Sequence, residues 1–324
     1  ADRLKMHKIA IVDKMHEDGI NLLKKNPNFQ CEIIEDLSKD NLISKLPHFD
    51  GITLRRGKID AEILQKCKKL KVISRHGVGY DNVDINFLKE NKISLLVTGT
   101  TTSTSPAEHI MFMILHISKS FNLFDESVRS GNFDKIMHMK HNSFELFNKT
   151  ILIVGFGRIG RKLIKRCLGF EMKVLVYDPY VDKKIIESLG GQKIDNLEES
   201  LKTTDVLSLS VPLTKDTINM IDLKKMKIMK NTSIIINTSR GGVINEKDLN
   251  TALDKEIIYG AGIDVFENEP PSNSNLLLKN KKVLLSPHAA TFTKECTSNM
   301  AIQTAQNIID FFDNKLNKLM IVNL

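Results

Sequence analysis

The feature that most constrains the fold is a glycine-rich turn that directly follows a buried strand. Residues 151–154 are all apolar, and Gly155–Gly160 have the spacing GxGxxG before a helical stretch that runs to about Leu168. In such a turn the first glycine permits the tight bend, the second lets the backbone approach a diphosphate, and the third lets helix and strand pack closely. The helix N-terminus adds unpaired N–H groups and a positive dipole. The turn therefore predicts a dinucleotide site at the start of a parallel α/β domain.

The residue after the next predicted strand indicates which dinucleotide binds. Residues 173–177 form this strand, and Asp178 follows it. A carboxylate at this position accepts hydrogen bonds from the adenosine ribose hydroxyls and repels a 2′-phosphate. Pro179 comes next, where an arginine would suit NADP. The sequence therefore predicts NAD, held by Gly155, Gly157, Gly160 and Asp178.

Strand-like apolar runs alternate with helical stretches along the whole chain, which predicts α/β domains with parallel sheets. Strands of the first domain are predicted at 9–12, 31–34, 51–54, 70–74 and 93–97. Strands of the second domain are predicted at 151–154, 174–177, 206–210, 233–237, 260–263 and 283–286. Two parallel-sheet domains are therefore expected.

The segments between and after these strands predict the domain boundaries. A small polar stretch, 98–104, precedes Ser105–Glu108, which has the pattern of a helix-capping box with proline at the first helical position. A helical stretch from residue 291 to about Phe312, followed by an apolar segment at 320–322, predicts that the chain returns to its first domain. We therefore predict a discontinuous domain, 1–100 with 291–324, and a dinucleotide-binding domain, 101–290.

Three polar residues follow strands of the second domain, at the edge where open α/β sheets place ligands. The planar guanidinium of Arg240 could bind a carboxylate or ketone oxygen. His288 could give a proton to a carbonyl oxygen as hydride arrives at carbon. Glu269 could pair with that imidazole. Taken singly, each residue also suits an ordinary role, as a solvated loop arginine, a core histidine or an exposed loop acid.

Five motifs in this order resemble the D-isomer-specific 2-hydroxyacid dehydrogenases over almost the whole chain. They are Arg75–Asp84, Gly155–Gly160, Asn237–Ile244, Asp264–Pro270 and Ser286–His288. The resemblance implies Rossmann-like and flavodoxin-like domains with an active-site cleft between them, and a homodimer formed through the cofactor domains.

The resemblance also implies roles for individual residues. It implies a catalytic triad of Arg240, Glu269 and His288. Backbone N–H groups around Gly77, Val78 and Gly79 are implied to bind the substrate carboxylate. Further cofactor contacts are implied at Arg158, Ile159, Val211, Thr238 and Asp264, the last of them near the nicotinamide.

Basic residues near the ends of two first-domain strands bear on the substrate. Arg55, Arg56 and Lys58 follow one strand, and Arg75 with His76 ends another. Several converging cations would suit a 2-hydroxy acid with a second anionic group, although a solvated basic loop explains them equally well. Arg55 also aligns with a substrate contact of the family.

We therefore expect reversible hydride transfer between NAD(H) and a D-2-hydroxy acid, with His288 as the acid/base. The leading substrate is 3-phosphoglycerate, which would belong to serine biosynthesis; sulfolactate comes next, then glyoxylate or hydroxypyruvate. The alternative from a different class is an NADH-sensing corepressor, in which the cofactor sets an assembly state.

Composition narrows the partners. The net charge of +8 is spread over amphipathic segments, which favours small anions over nucleic acid. The four cysteines lie far apart and lack metal-ligand spacing, so no disulfide framework and no metal site are predicted. The sequence shows no apolar run long enough to span a bilayer and no targeting segment, so a cytoplasmic location without membrane contact is expected. The sequence to Leu324 lacks the regulatory domain that longer members of the family carry, so a short form of the family is expected.

Overall fold

Parallel strands buried on both faces give this chain its architecture, as its continuous apolar runs predict. The computed structural model describes residues 6–99 and 102–323. They form two units: one runs to Thr102 and resumes at Thr291, and the other is Ser103–Ala290. The predicted boundary between residues 100 and 101 lies outside the described residues, as do residues 1–5 and 324.

The first unit is built on a five-stranded parallel sheet. Its strands are β1 His7–Val12, β2 Phe29–Ile34, β3 Gly51–Leu54, β4 Val72–Arg75 and β5 Ser94–Leu96. Their order in the sheet is β2-β1-β3-β4-β5. The helices between them are α1 Glu17–Lys24, α2 Lys39–Lys45, α3 Ala61–Lys66 and α4 Ile85–Glu90, with a 3-10 turn at Leu46–His48. The order is that of a flavodoxin-like sheet, in which the chain changes direction between β1 and β3.

The C-terminal segment completes this unit. Its long helix, Lys294–Phe312, packs against α1 and β4. Thr304 in that helix accepts a hydrogen bond from the buried Ser74 hydroxyl through its carbonyl, at 2.9 Å. After a 3-10 turn at Lys318–Met320, Ile321 forms an antiparallel bridge with Leu96. The last described residues therefore add to the edge of the first sheet.

The second unit is built on a seven-stranded parallel sheet. Its strands are β6 Thr150–Val154, β7 Lys173–Tyr177, β8 Gln192–Lys193, β9 Val206–Leu209, β10 Ile234–Asn237, β11 Gly260–Ile263 and β12 Val283–Leu285. Their order is β12-β11-β10-β9-β6-β7-β8. This is the doubly wound Rossmann order with one additional strand, and it reverses between β6 and β9.

Helices cover both faces of this sheet, and separate apolar clusters form its two cores. Before β6 come α5 Thr104–Ser118, α6 Phe121–Arg129 and α7 Phe133–Met137. After it come α8 Arg158–Gly169, α9 Lys183–Ser188, α10 Leu197–Leu201, α11 Leu223–Met226 and α12 Glu246–Asp254, with a 3-10 turn at Leu276–Lys279. Helices α5 and α8 pack on one face, with α10, α11 and α12 on the other.

The predicted class of two parallel-sheet α/β domains is confirmed. One strand was missed and one local prediction is wrong. Strand β8 was not predicted, because two polar residues at a sheet edge carry no apolar signal. Helix α5 begins at Thr104, so Ser105 lies inside it, and the Ser105 hydroxyl donates to the Ala290 carbonyl at 2.6 Å instead of capping the helix. No helix of the described chain combines the length and apolarity that a bilayer span requires.

Candidate active site

The polar residues of the second unit gather where its strands end. Because parallel strands end at one edge of the sheet, the glycine turn after β6, Asp178 after β7 and Val211 beyond β9 share an edge with three further segments. These segments follow β10, β11 and β12, and they carry Arg240, Asp264 and His288. The reversal of strand order between β6 and β9 opens a crevice at this edge.

Packing requires two of the three glycines in the turn. Gly155 has a φ of +91°, which L side chains rarely adopt, and a Cβ there would collide with the Ser210 carbonyl. A Cβ on Gly160 would lie 2.7 Å from the Gly155 carbonyl oxygen. Strand β6, the turn and α8 can therefore approach each other only if both positions are glycine.

Gly157 differs, because the space beside it is open. A Cβ built there meets no atom within 4 Å, and Gly157 is the N-cap of α8, whose first-turn amides follow it. Nearby, the buried Ser210 hydroxyl has no hydrogen-bond partner among the described residues. Open space, helix amides and an unused hydroxyl at one strand edge fit the diphosphate of a dinucleotide.

Asp178 is tied to the glycine turn. Its Oδ2 accepts the Phe156 amide at 2.7 Å, and its Oδ1 accepts the Tyr180 amide at 2.9 Å. The carboxylate is therefore fixed in orientation and still has lone pairs for ribose hydroxyls.

The other predicted cofactor contacts lie around the same edge. Arg158 and Ile159 open α8, with Arg158 exposed and Ile159 half-buried. Val211 follows Ser210, and Thr238 is buried directly after β10.

Glu269 and His288 form a direct pair. The Nδ1 atom of His288 lies 2.8 Å from Glu269 Oε2, and the two side chains are 47% and 38% exposed. Glu269 Oε1 accepts the Phe266 amide at 3.1 Å, which fixes the carboxylate. Because Nδ1 faces Glu269, the Nε2 atom of His288 is the one left for another partner.

Arg240 is brought towards this pair by the loop that carries it. The Asn237 side chain bonds the Arg240 carbonyl at 2.9 Å and the Ser239 amide at 3.0 Å, which forms a tight turn after β10. The next residue, Gly241, lies so close to the Phe266 carbonyl that a Cβ would overlap it. The Arg240 loop therefore packs directly on the segment that leads into Glu269.

The electrostatics of Glu269 reflect this packing. Burial by itself raises the pKa of a carboxyl group. The hydrogen bond and charge of His288, the Phe266 amide and the charge of Arg240 outweigh burial, so the pKa of Glu269 is lowered. Glu269 is therefore ionised at neutral pH and can stabilise a protonated imidazole.

Asp264, expected near the nicotinamide, lies in this region and organises the loop that follows β12. Its side chain is fully buried, and Oδ1 accepts the Ser286 hydroxyl at 2.6 Å and the Ala289 amide at 2.7 Å. Oδ2 accepts the Ala290 amide at 3.0 Å. These bonds connect Asp264 to the loop that carries His288.

In the first unit, Arg75 organises the segment predicted to bind the substrate carboxylate. Its buried guanidinium donates to the carbonyls of Leu54 and Arg55 at 2.6 Å each, and to Gly79 at 2.8 Å. It therefore connects the end of β3 to the turn after β4.

The amides of that turn are not equivalent. The Gly77 amide donates to Thr98 Oγ1 at 3.0 Å, so it is already used, contrary to the expectation that it faces a substrate. The amides of Val78 and Gly79 have no acceptor within the described chain. Two amides, rather than three, are therefore available for a carboxylate.

The basic cluster predicted beside this turn carries less free charge than the sequence suggests. Arg56 pairs with the buried Asp13 through two contacts, of 2.7 and 3.2 Å. Burial, with smaller contributions from the charges of Arg55 and Arg75, lowers the pKa of His76 to about 4, so His76 is neutral at neutral pH. Arg55 donates to the Lys14 carbonyl at 3.0 Å and contacts no carboxylate of the described chain.

Three residues at these sites were not predicted: Asp13, Thr98 and Ser210. Each follows a strand, so position at a strand end is the signal that could have identified them. The partners of Asp13 and Thr98 lie far away in sequence, and no local pattern reveals such pairings.

Comparison with known proteins gives three findings. Residues 111–290 match the family model described as D-isomer specific 2-hydroxyacid dehydrogenase, NAD binding domain. The chain is 34% identical over 304 residues to the D-3-phosphoglycerate dehydrogenase of Archaeoglobus fulgidus, covering 94% of this chain and 57% of that protein. It is 37% identical over 312 residues to the glyoxylate reductase of Thermococcus litoralis, covering 94% of this chain and 93% of that protein.

Among solved structures, the fold is similar to D-lactate dehydrogenase of Aquifex aeolicus in complex with NAD and lactic acid. The TM-score is 0.86 at 27% sequence identity, and the match covers 98% of this chain and 99% of that one. The chain spans little more than half the length of the phosphoglycerate dehydrogenases that it matches.

Proposed function

Because the chain belongs to the D-isomer specific 2-hydroxyacid dehydrogenase family, we propose that it transfers hydride reversibly between NAD(H) and a D-2-hydroxy acid or its 2-keto acid. The match to the NAD binding domain of this family confirms the family and the cofactor predicted from the sequence. The observation that carries the proposal is the 2.8 Å contact between His288 Nδ1 and Glu269 Oε2, at the strand edge that also holds the glycine turn.

The residues that would hold NAD are those around the open space beside Gly157. The first amides of α8, at Arg158 and Ile159, suit the diphosphate, and Asp178 suits the adenosine ribose. Val211 and Thr238 would contact the cofactor from neighbouring strand ends. When bound, NADH supplies hydride to the keto carbon, and NAD accepts it in the reverse direction.

His288 is proposed as the acid/base. When the keto carbon receives hydride, its carbonyl oxygen takes a proton from His288 Nε2; in the reverse direction Nε2 takes the proton from the substrate hydroxyl. Glu269 holds the imidazole through Nδ1 and stabilises its protonated form. Arg240 donates to the carbonyl oxygen or the carboxylate, which polarises the carbonyl. A positioned acid/base of this kind contributes a rate factor of about 10²–10⁴.

The substrate carboxylate is proposed to bind at the turn after β4. The amides of Val78 and Gly79 supply donors, and the pair of hydrogen bonds between Gly77 and Thr98 fixes the turn. Arg75 supports the same turn through the Gly79 carbonyl.

We propose 3-phosphoglycerate and its keto acid, phosphohydroxypyruvate, as the leading substrate pair, with sulfolactate next. Arg55 is the residue that supports a second anionic group, since it is a half-buried cation that contacts no carboxylate of the described chain. This substrate would place the reaction in serine biosynthesis. A cytoplasmic location stays a prediction.

Glyoxylate is the second candidate, and the partners of the basic cluster favour it. Arg56 is neutralised by Asp13, Arg75 is engaged by backbone carbonyls, and His76 is neutral. A substrate with a single carboxylate needs no further cation beside the turn after β4. The glyoxylate reductase of Thermococcus litoralis, 93% of which the match covers, is similar in size.

A keto-acid panel tests the function. Purified protein with NADH is offered phosphohydroxypyruvate, sulfopyruvate, hydroxypyruvate, glyoxylate and pyruvate, and kcat/KM is measured for each. We expect phosphohydroxypyruvate to give the highest value. If glyoxylate gives the highest value, the substrate proposal is wrong but the reaction stands. NADH binding without oxidation by any of the five acids would contradict the enzyme and support an NADH-sensing protein.

The variant Arg55→Ala isolates the second anionic group. Loss of a charged hydrogen bond of about 1.5–3 kcal/mol should raise KM for phosphohydroxypyruvate by about 10- to 100-fold. KM for glyoxylate should change little, because glyoxylate has nothing to place against Arg55. The matched control is Lys58→Ala, which removes an exposed cation from the same segment. An unchanged KM for phosphohydroxypyruvate in Arg55→Ala would remove Arg55 from the site.

We also propose a homodimer formed through the second unit. Neither α6 nor α7 buries a residue against the described chain, although both carry large apolar side chains such as Phe121 and Phe133, which are 56% and 55% exposed. Beside α6, Met111, Phe112 and Phe170 line an apolar groove of about 720 Å³, to which Phe121 also contributes. Exposed apolar surface of this kind is typical of a protein–protein interface.

Sedimentation equilibrium tests the homodimer. We expect a mass twice the 36.7 kDa of the chain. The variant Phe121→Glu should give monomers, whereas Leu319→Glu, which changes an exposed apolar residue of the first unit, should not. A monomeric wild-type protein would contradict the proposal.

A further inference from the structure

A chain of hydrogen bonds connects helix α5 to the loop that carries His288. The Nε2 atom of His109 lies 3.0 Å from Ser286 Oγ, and Ser286 Oγ lies 2.6 Å from Asp264 Oδ1. His109 Nε2 is also 3.7 Å from the same carboxylate oxygen. His109 and Ser286 are 177 positions apart in the sequence, so only the fold brings them together.

Donor and acceptor roles along this chain follow from Asp264. Its carboxylate accepts the Ala289 and Ala290 amides, and an ionised carboxylate can only accept. The Ser286 hydroxyl therefore donates its one hydrogen to Asp264. That hydroxyl can then only accept from His109, so Nε2 of His109 carries a hydrogen.

The loop held by Asp264 needs such support. His288 has a φ of +53°, which is uncommon for a residue other than glycine and costs roughly 1–3 kcal/mol unless the surroundings enforce it. The His288 amide donates to the Asp264 carbonyl at 2.7 Å, and the next two amides donate to the Asp264 carboxylate. One residue thus binds three successive amides and sets the direction of the imidazole towards Glu269.

We propose that His109 and Ser286 are positioning residues for His288. They hold the Asp264 carboxylate in the orientation that receives the Ala289 and Ala290 amides, and this fixes the backbone of His288. Neither side chain touches the reacting atoms in this assignment. The inference rests on the proposed function, because its effect on turnover passes through His288.

Replacing either His109 or Ser286 should affect the loop that carries His288. His109 is 17% exposed, so its hydrogen bond to Ser286 is shielded from water, which would otherwise replace it. Loss of the Ser286 hydroxyl leaves the Ala289 amide, at 2.7 Å, as the remaining hydrogen-bond donor to Asp264 Oδ1. The carboxylate is then held by the Ala289 and Ala290 amides alone, so we expect the loop to open more often.

Four variants test the assignment: His109→Phe, His109→Gln, Ser286→Ala and the control Ser118→Ala. Ser118 is a fully buried serine of the same helix α5, and its hydroxyl bonds the Leu115 carbonyl. For each variant, kcat and KM are measured with the best keto acid of the panel, NADH affinity by fluorescence titration, and Tm by calorimetry. Amide hydrogen exchange of residues 286–290 is measured by mass spectrometry.

We expect His109→Phe and Ser286→Ala to lower kcat by about tenfold, the effect of one buried hydrogen bond, with KM and NADH affinity nearly unchanged. Exchange of residues 286–290 should become faster in both. His109→Gln should restore most of kcat, because its amide can donate to the same hydroxyl. Ser118→Ala should leave kcat and the exchange of this loop as in the wild type.

Several outcomes overturn the proposal. They are unchanged exchange of residues 286–290 in His109→Phe and Ser286→Ala, a fall of kcat that follows Tm across all four variants, or a failure of His109→Gln to restore kcat. If the wild-type protein turns over none of the keto acids, the proposed function fails, and the exchange measurement still decides whether His109 and Ser286 hold the loop.

Discussion

Replacing His288 with asparagine is expected to lower kcat by about 10²–10⁴-fold, the contribution of a positioned acid/base. Asparagine keeps a donor near the position of Nδ1 and so can still bond Glu269, but it has no group at the position of Nε2. It also tolerates positive φ better than most residues, which matters because His288 has a φ of +53°. The loss is therefore assigned to the missing proton rather than to backbone strain.

Two measurements test this prediction: kcat from steady-state rates with the best keto acid, and NADH affinity from fluorescence titration. NADH affinity should stay within about threefold of the wild type, because His288 does not hold the diphosphate or the ribose. The control is His138→Asn, at an exposed histidine outside the site. Retained turnover in His288→Asn would remove this residue from the mechanism, and a parallel loss of NADH binding would show that the substitution disturbs the cofactor site.

The wild-type protein is expected to use NADH with a kcat/KM about 10²–10³-fold higher than NADPH, because like charges brought together cost several kcal/mol. The Asp178 carboxylate cannot turn away from a 2′-phosphate, since the Phe156 and Tyr180 amides fix both of its oxygens. The variant Asp178→Asn removes the charge and keeps an acceptor for one of these amides. It should therefore narrow the preference, mainly by improving the use of NADPH.

Initial rates over a range of each coenzyme, at a fixed saturating keto acid, measure the preference. The control is Asp182→Asn, four positions further on, where the carboxylate caps α9 through the Lys184 amide and makes no contact with the glycine turn. The control should keep the wild-type preference. Comparable efficiency of the wild type with NADH and NADPH would show that Asp178 does not decide the coenzyme.

The fold was predictable from the sequence because its strands are buried on both faces. Residues 151–154 of β6 and 234–236 of β10 are all apolar and buried, so these strands are evident without any partner. Strand β8 lacks that signal, since it is two polar residues at a sheet edge. The start of α5 was misjudged because a capping pattern is local, whereas Ser105 bonds a carbonyl 185 positions away.

The candidate site was predictable in its positions and less so in its pairings. Residues shortly after strand ends, such as Arg240 and His288, could be predicted to lie together because parallel strands end at one edge. The sequence shows charges but not the groups that neutralise them, so the pairing of Arg56 with Asp13 could not be anticipated. For the same reason Thr98, which occupies the Gly77 amide, was missed.

The three glycines of the turn are subject to different constraints. Folding requires glycine at 155 and 160, because a side chain at either position would collide with neighbouring backbone. At 157 the space is open and φ is −75°, so folding alone would accept other residues there. A descendant of this chain that abandoned nucleotide binding could therefore change residue 157 first and keep the other two glycines. Gly157 is therefore the position of the turn where a requirement for the cofactor can be distinguished from a requirement for the fold.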